Sequence, residues 1–137
     1  MSSGNSRKSL SETLVKDIMT KAIISVDPST TVFQVAKMME QGGIGAILVK
    51  KDGTTSGIIT DRDYAIKIAA DKLSMDTSVE KVASFPLVTV SQNDSIIAAA
   101  SLMSSKKIRK LAVVEDGNVI GIITSTDLVT QLAKNSS

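Results

Sequence analysis

Apolar and polar residues alternate along the chain with two different periods, and each pattern is written twice. Short apolar runs, AIISV (22–26) and PLVTV (86–90), have the length of a strand. Polar turns follow, DPSTT and SQNDS, with Thr30 or Asp94 placed to cap a helix. Val32, Val35, Ala36 and Met39 then fall at i, i+3, i+4 and i+7, one face of an amphipathic helix, and Ile96, Ala99, Ala100 and Met103 repeat that face. IGAILVKK (44–51) and IRKLAVVE (108–115) predict strands by their branched residues. Asp52-Gly53 and Asp116-Gly117 predict hairpin turns into SGIIT (56–60) and IGIIT (120–124). A last helix opens near Asp61 and near Ser125 and carries YAIKIAA or LVTQLA. Each half reads strand, helix, strand, strand, helix.

The halves align without a gap at an offset of 64 residues: Val15 falls on Val79, Val26 on Val90, Met39 on Met103, Ile44 on Ile108, Val49 on Val113 and Asp63 on Asp127. Such a repeat makes each copy one supersecondary block. A block of roughly 55 residues is marginal alone, because small domains bury too little surface. Two are expected to pack together and share a core. The expected fold class is mixed α/β (α+β): two β-α-β-β-α units packed by pseudo-two-fold symmetry into one module. The boundaries expected are a flexible arm over 1–14, a first unit over 15–73, a linker over 74–78 within DKLSMDTS, and a second unit over 79–134. Helical faces left apolar suit a second copy of the chain, which predicts a homodimer.

Composition narrows the chemistry. The chain of 137 residues is 42% hydrophobic and 22% charged, ordinary for a globular fold. It has no Cys and no His, which excludes thiol chemistry, disulfides, Cys/His zinc sites and His-based acid–base catalysis. A net charge of +2 is too weak to argue for nucleic acid by itself. No apolar run approaches a membrane span, and the opening MSSGNSRKSLSE lacks the apolar stretch of a secretion signal. A cytoplasmic location is expected.

The repeated GIITDRD (57–63) and GIITSTD (121–127) carry the candidate chemistry. Thr-x-x-Asp where a strand runs into a helix is first of all a helix cap. The same geometry serves an anion or a sugar. A helix N-terminus offers unpaired N–H groups, the Asp can accept two hydrogen bonds from a vicinal diol, and the Thr hydroxyl can donate to phosphate. Two copies facing each other across a shared core would form two clefts, the default place for a ligand.

With these motifs in tandem, and with VKDIMT (15–20) at its opening, the chain from about 15 to 134 resembles a pair of CBS domains, named for cystathionine β-synthase. The resemblance implies a stand-alone regulatory module without catalysis. It implies no required cofactor, and an adenosine-containing ligand: AMP, ADP or ATP, or else S-adenosylmethionine or NAD. Carried over residue by residue, it implies a first cleft in which Thr124, Thr126 and Asp127 hold ribose and phosphate. Thr20, Ala22, Ile24, Ile44, Gly45 and Ala46 would hold the base there, and Arg109 and Lys110 the phosphate. The second cleft would use Thr60, Arg62 and Asp63 with Ser84, Pro86, Val88 and Ile108. Where the second unit has IRKL (108–111), the first has the uncharged IGAI (44–47), so phosphate should prefer the first cleft. The second is expected to be empty or to hold a nucleoside.

Two other functions compete. KKIRK (106–110) could bind nucleic acid, against which stand the low net charge and only three aromatics, Phe33, Tyr64 and Phe85. It is otherwise a solvated face, with Lys106 and Lys107 at the negative end of a helix. An enzyme would need a general base or a metal cage, and no such constellation is present in the pattern. The protein that would read the ligand state is expected to be a separate partner.

Overall fold

The structure, a computed structural model, describes residues 9–135. In chain order it contains α1 (Val15–Ile18), β1 (Ser25–Val26), α2 (Val32–Gly42), β2 (Ala46–Lys51), β3 (Thr54–Thr60) and α3 (Asp61–Asp63), which continues as π-helical turns over Tyr64–Ala69. A single 3-10 turn at Val79–Lys81 leads to β4 (Thr89–Ser91), α4 (Ile96–Lys106), β5 (Lys110–Glu115), β6 (Asn118–Thr124) and α5 (Ser125–Asn135). The class is mixed α and β, with two three-stranded sheets ordered β1-β2-β3 and β4-β5-β6. In each sheet the first pair is parallel and the second is the expected hairpin.

The repeat is visible in the hydrogen bonding. Leu48 faces Ile58 across one hairpin, and Ala112 faces Ile122 across the other. Both hairpins carry an irregularity at equivalent places, between Val49 and Lys50 and between Val113 and Val114. Both turn on Asp-Gly with positive φ at each residue, 52° and 80° at Asp52-Gly53 and 50° and 81° at Asp116-Gly117. That is the twist a two-residue hairpin needs, and Gly supplies it without a Cβ clash.

Contacts divide the chain into two compact units, Ile23–Leu87 and the part up to Ala22 together with the part from Val88 onward. These units are out of phase with the sequence repeat. The opening segment of the first repeat docks on the second half. Val15 N–H donates to Asp94 O at 2.8 Å, Ile96 N–H to Thr13 O at 3.0 Å and Thr20 N–H to Ile122 O at 2.8 Å. The opening segment of the second repeat docks on the first half by the equivalent bonds. Val79 N–H donates to Thr30 O at 2.7 Å, Val32 N–H to Thr77 O at 2.9 Å and Ser84 N–H to Ile58 O at 2.8 Å. Val79 joins Val32, Val35, Ile47 and Ile59 in one core, and Val15 joins Ile96, Ala99, Leu111 and Ile123 in the other.

Several local expectations shift. The first strand of each repeat is shorter than its apolar run, because only Ser25–Val26 and Thr89–Ser91 complete the parallel ladder. Pro86, inside the second run, has no N–H to give. The helix caps lie one residue beyond Thr30 and Asp94. Thr31 Oγ1 accepts from Gln34 N–H while Gln34 Oε1 accepts from Thr31 N–H, a reciprocal box, and Ser95 Oγ accepts from Ala98 N–H. Asp94 instead accepts from Ser91 N–H within the turn. Of the expected arm over 1–14, residues 1–8 lie outside the described residues. Residues 9–14 form a turn in which Thr13 is buried and Leu10 packs on the core containing Val15.

Candidate functional site

Both Thr-x-x-Asp motifs sit where a hairpin strand ends and a helix begins: Thr60 closes β3 ahead of α3, and Thr124 closes β6 ahead of α5. The strand is the edge strand of its sheet, paired along its length with the central strand, β2 or β5, so the motif is held on a regular element, and the helix N-terminus turns its first amides toward the same end. The start of the neighbouring strand lies alongside. Ser125 N–H donates to Arg109 O at 2.8 Å with Lys110 opposite Thr124, and Asp61 N–H donates to Gly45 O at 3.0 Å with Ala46 opposite Thr60.

The docked opening segments complete each grouping. Thr20 pairs with Ile122, two residues before Thr124, and Ser84 pairs with Ile58, two residues before Thr60. This approach needs glycine. A Cβ on Gly121 would lie 2.8 Å from Thr20 O and 3.0 Å from Met19 Sδ, and one on Gly57 would lie 2.5 Å from the Phe85 ring.

The structure therefore places Thr20, Arg109, Lys110, Thr124, Thr126 and Asp127 in one unit, around the end of β6. Ala22, Val88 and Ile108 belong to that unit as well. Thr60, Arg62, Asp63, Ser84 and Pro86 belong to the other, together with Ile24, Ile44, Gly45 and Ala46. Gly45 and Ala46 thus stand beside Thr60 and Asp61, in the positions that Arg109 and Lys110 hold beside Thr124 and Ser125.

The two motifs differ in their bonds. Asp127 Oδ2 accepts from Thr124 N–H at 2.9 Å, and Asp127 N–H donates to Thr124 Oγ1 at 3.2 Å. With its oxygen already accepting, the Thr124 hydroxyl keeps its proton available as a donor. At the other motif, Asp63 Oδ2 accepts from both the N–H and the hydroxyl of Thr60, at 2.8 and 3.3 Å. Its Oδ1 pairs with Lys67 Nζ at 3.2 Å. Sequence reasoning passed over Lys67, although an Asp four residues ahead of a Lys on a helix is a readable signal.

Charge is distributed unequally. Arg109 is exposed next to the Thr124 motif, whereas Gly45 holds the matching position beside Thr60. Lys106 ends α4, and Lys107 follows as its left-handed cap with φ 57°, so both complement the negative end of that helix. Next to Asp63, the Tyr64 hydroxyl donates to Val32 O at 2.6 Å. Burial, with the Asp63 charge beside it, pushes that phenol up to about 12. Among the described residues no group of three or more Asp, Glu, His or Cys side chains could hold a metal ion, and no helix is long and apolar enough to cross a membrane.

The family model of the CBS domain matches residues 15–70 and again 73–134. The CBS domain-containing protein YhcV of Bacillus subtilis is 37% identical over 123 residues, covering 90% of this chain and 88% of its own. Other relatives are longer: a Methanocaldococcus jannaschii protein, 34% identical, is covered over 29% of its length. Among solved structures, a candidate signal-transduction protein with CBS domains from Burkholderia ambifaria superposes with a TM-score of 0.85 at 30% identity, covering 91% of this chain and 97% of its own. The CBS domain pair of protein MJ0100, solved with 5′-methylthioadenosine and S-adenosylmethionine, superposes with a TM-score of 0.82 at 28% identity, covering 90% and 98%.

Proposed function

Since the chain belongs to the CBS domain family and carries the domain as a tandem pair, we propose that it is a cytoplasmic regulatory module that binds an adenine nucleotide or a related adenosyl ligand. Binding would change its conformation or assembly, and a partner protein would read the change. The observation that carries this reading is the Asp127 carboxylate. One oxygen is fixed by Thr124 N–H. The other has no partner among the described residues and is left for sugar hydroxyls. The Thr124 hydroxyl, Thr126 and Thr20 supply further polar groups, and Arg109 and Lys110 supply positive charge for phosphate. Both molecules bound to the MJ0100 pair contain adenosine, which supports the ligand class.

A ligand that favours one arrangement shifts the protein only by its difference in affinity for the two. An assembly change has a candidate surface. Val129 and Leu132, three apart on α5, are 63% and 50% exposed, and a second copy of the chain packing on them would form a homodimer.

Thermal melting with AMP, ADP, ATP, NAD and S-adenosylmethionine in turn tests the reading. A ligand at a hundred times its dissociation constant should add about 2.7 kcal/mol of stability. Asp127→Ala is expected to remove most of the shift, and Arg109→Ala to weaken the phosphorylated ligands selectively. A panel with no shift for any member contradicts the reading.

A further inference from the structure

The two Asp motifs are equivalent by sequence repeat and unlike in their surroundings, and at the Asp carboxylate itself the difference is Lys67. Lys67 lies one helical turn beyond Asp63. Its ammonium group pairs with Asp63 Oδ1 at 3.2 Å, donates to Val82 O at 2.8 Å and reaches Ser84 Oγ at 3.4 Å. An ammonium group has three protons, so these three acceptors saturate it. The same contacts saturate the motif. Asp63 is only 8% exposed, one of its oxygens is filled by Thr60 and the other by Lys67, and the Thr60 hydroxyl already donates its hydrogen bond to the carboxylate. Ser84, the counterpart of Thr20, is held by the same cation.

At the other motif the position of Lys67 is taken by Gln131. Its amide turns away, donating to Asn135 Oδ1 at 2.9 Å, and brings no charge to Asp127. Resting on the reading that the open motif holds an adenosyl sugar, we infer that Lys67 is an internal occupant of the Asp63 site. It fills the hydrogen-bonding positions that ribose hydroxyls would use, so that the chain binds one nucleotide, at Asp127, and keeps its second motif closed. Lys67 is thereby a specificity-determining residue. A sugar hydroxyl entering at Asp63 would have to displace an ion pair whose carboxylate is buried, and a neutral hydroxyl offers no charge to replace the cation.

The test is binding stoichiometry by equilibrium dialysis with AMP on the full chain, using Lys67→Gln, which copies the residue at the open site, and Lys67→Met, which keeps the stem without the charge. The wild type is expected to bind one AMP per chain, unchanged by Asp63→Ala and lost in Asp127→Ala. Lys67→Gln or Lys67→Met should bind two, and Lys67→Gln combined with Asp127→Ala should bind one. The added site should discriminate against 2′-deoxy-AMP, which lacks the diol. A wild type that binds two AMP per chain overturns the inference. So does a folded Lys67 variant, judged by its melting transition, that stays at one or drops below it. Those results leave the adenosyl reading of Asp127 intact. A wild type that binds no AMP, and that no member of the melting panel stabilises, removes the reading and the inference together.

Discussion

Tyr64 is the single tyrosine of the chain, which has no tryptophan, so its ionisation can be followed by phenolate absorbance without overlap. Its hydroxyl donates to the Val32 carbonyl at the start of α2, tying α3 to α2 within one unit. A free phenol titrates near about 10. Here burial and the neighbouring Asp63 raise it to about 12, so the neutral form is the one the fold favours. The stabilisation is complete below pH about 10 and is lost as pH rises through about 12. The absorbance midpoint is expected near 12. The melting temperature of the wild type should fall across that window more than that of Tyr64→Phe. A midpoint at the free-phenol value would show that the side chain is not held as described. By sequence alone Tyr64 could equally have stacked on a base. Its bond to Val32 spans 32 residues, and no local pattern reports such a contact.

At the scale of elements, the α2 cap separates two adjacent threonines that look alike in the sequence. Thr31 takes part in a reciprocal pair of bonds with Gln34, whereas Thr30 bonds through its backbone, N–H to Asp27 O and C=O to Val79 N–H. Thr31→Ala is expected to cost about 1 kcal/mol in denaturant unfolding. Thr30→Ala should stay within about 0.5 kcal/mol, the range of a surface change. Equal losses would contradict the assignment. Periodicity located both helices and both hairpins, because it records which face is buried. It could not place the cap between neighbouring Thr residues, nor shorten the first strands, because those depend on which carbonyl meets which N–H. The candidate residues were legible in a different way. Thr124 and Asp127 follow from the repeat, Arg109 only from the family resemblance, and the structure pairs Thr20 with Ile122, two residues before Thr124. The Asp63–Lys67 pair was legible as an i, i+4 spacing, but the further bond from Lys67 to Val82 O was not, because it depends on side-chain geometry that the equivalent Gln131 does not share.

For the whole molecule, the repeat is plain in the sequence but the exchange of opening segments is not. VKDIMT and VEKVAS fill the same role, and nothing local says on which half each docks. Removing residues 1–20 should weaken the Val88–Asn135 part selectively. It would uncover a core that Val15 seals at 0% exposure, where burial of one such side chain is worth about 1.5–3 kcal/mol. It would also free the edge of β6 at Ile122. Amide hydrogen exchange read strand by strand is the measurement. Protection in β5 and β6 should drop well before that in β2 and β3, and a uniform drop would speak against the exchange.

A half-length polypeptide with one repeat would present a leading strap with no surface of its own to grip and, at the far side, a bare berth awaiting one. Two such polypeptides could fasten each other by swapping straps. Read that way, the full chain is an obligate couple joined by a covalent tether, and cutting it at the tether should leave two fragments that recombine but do not stand apart.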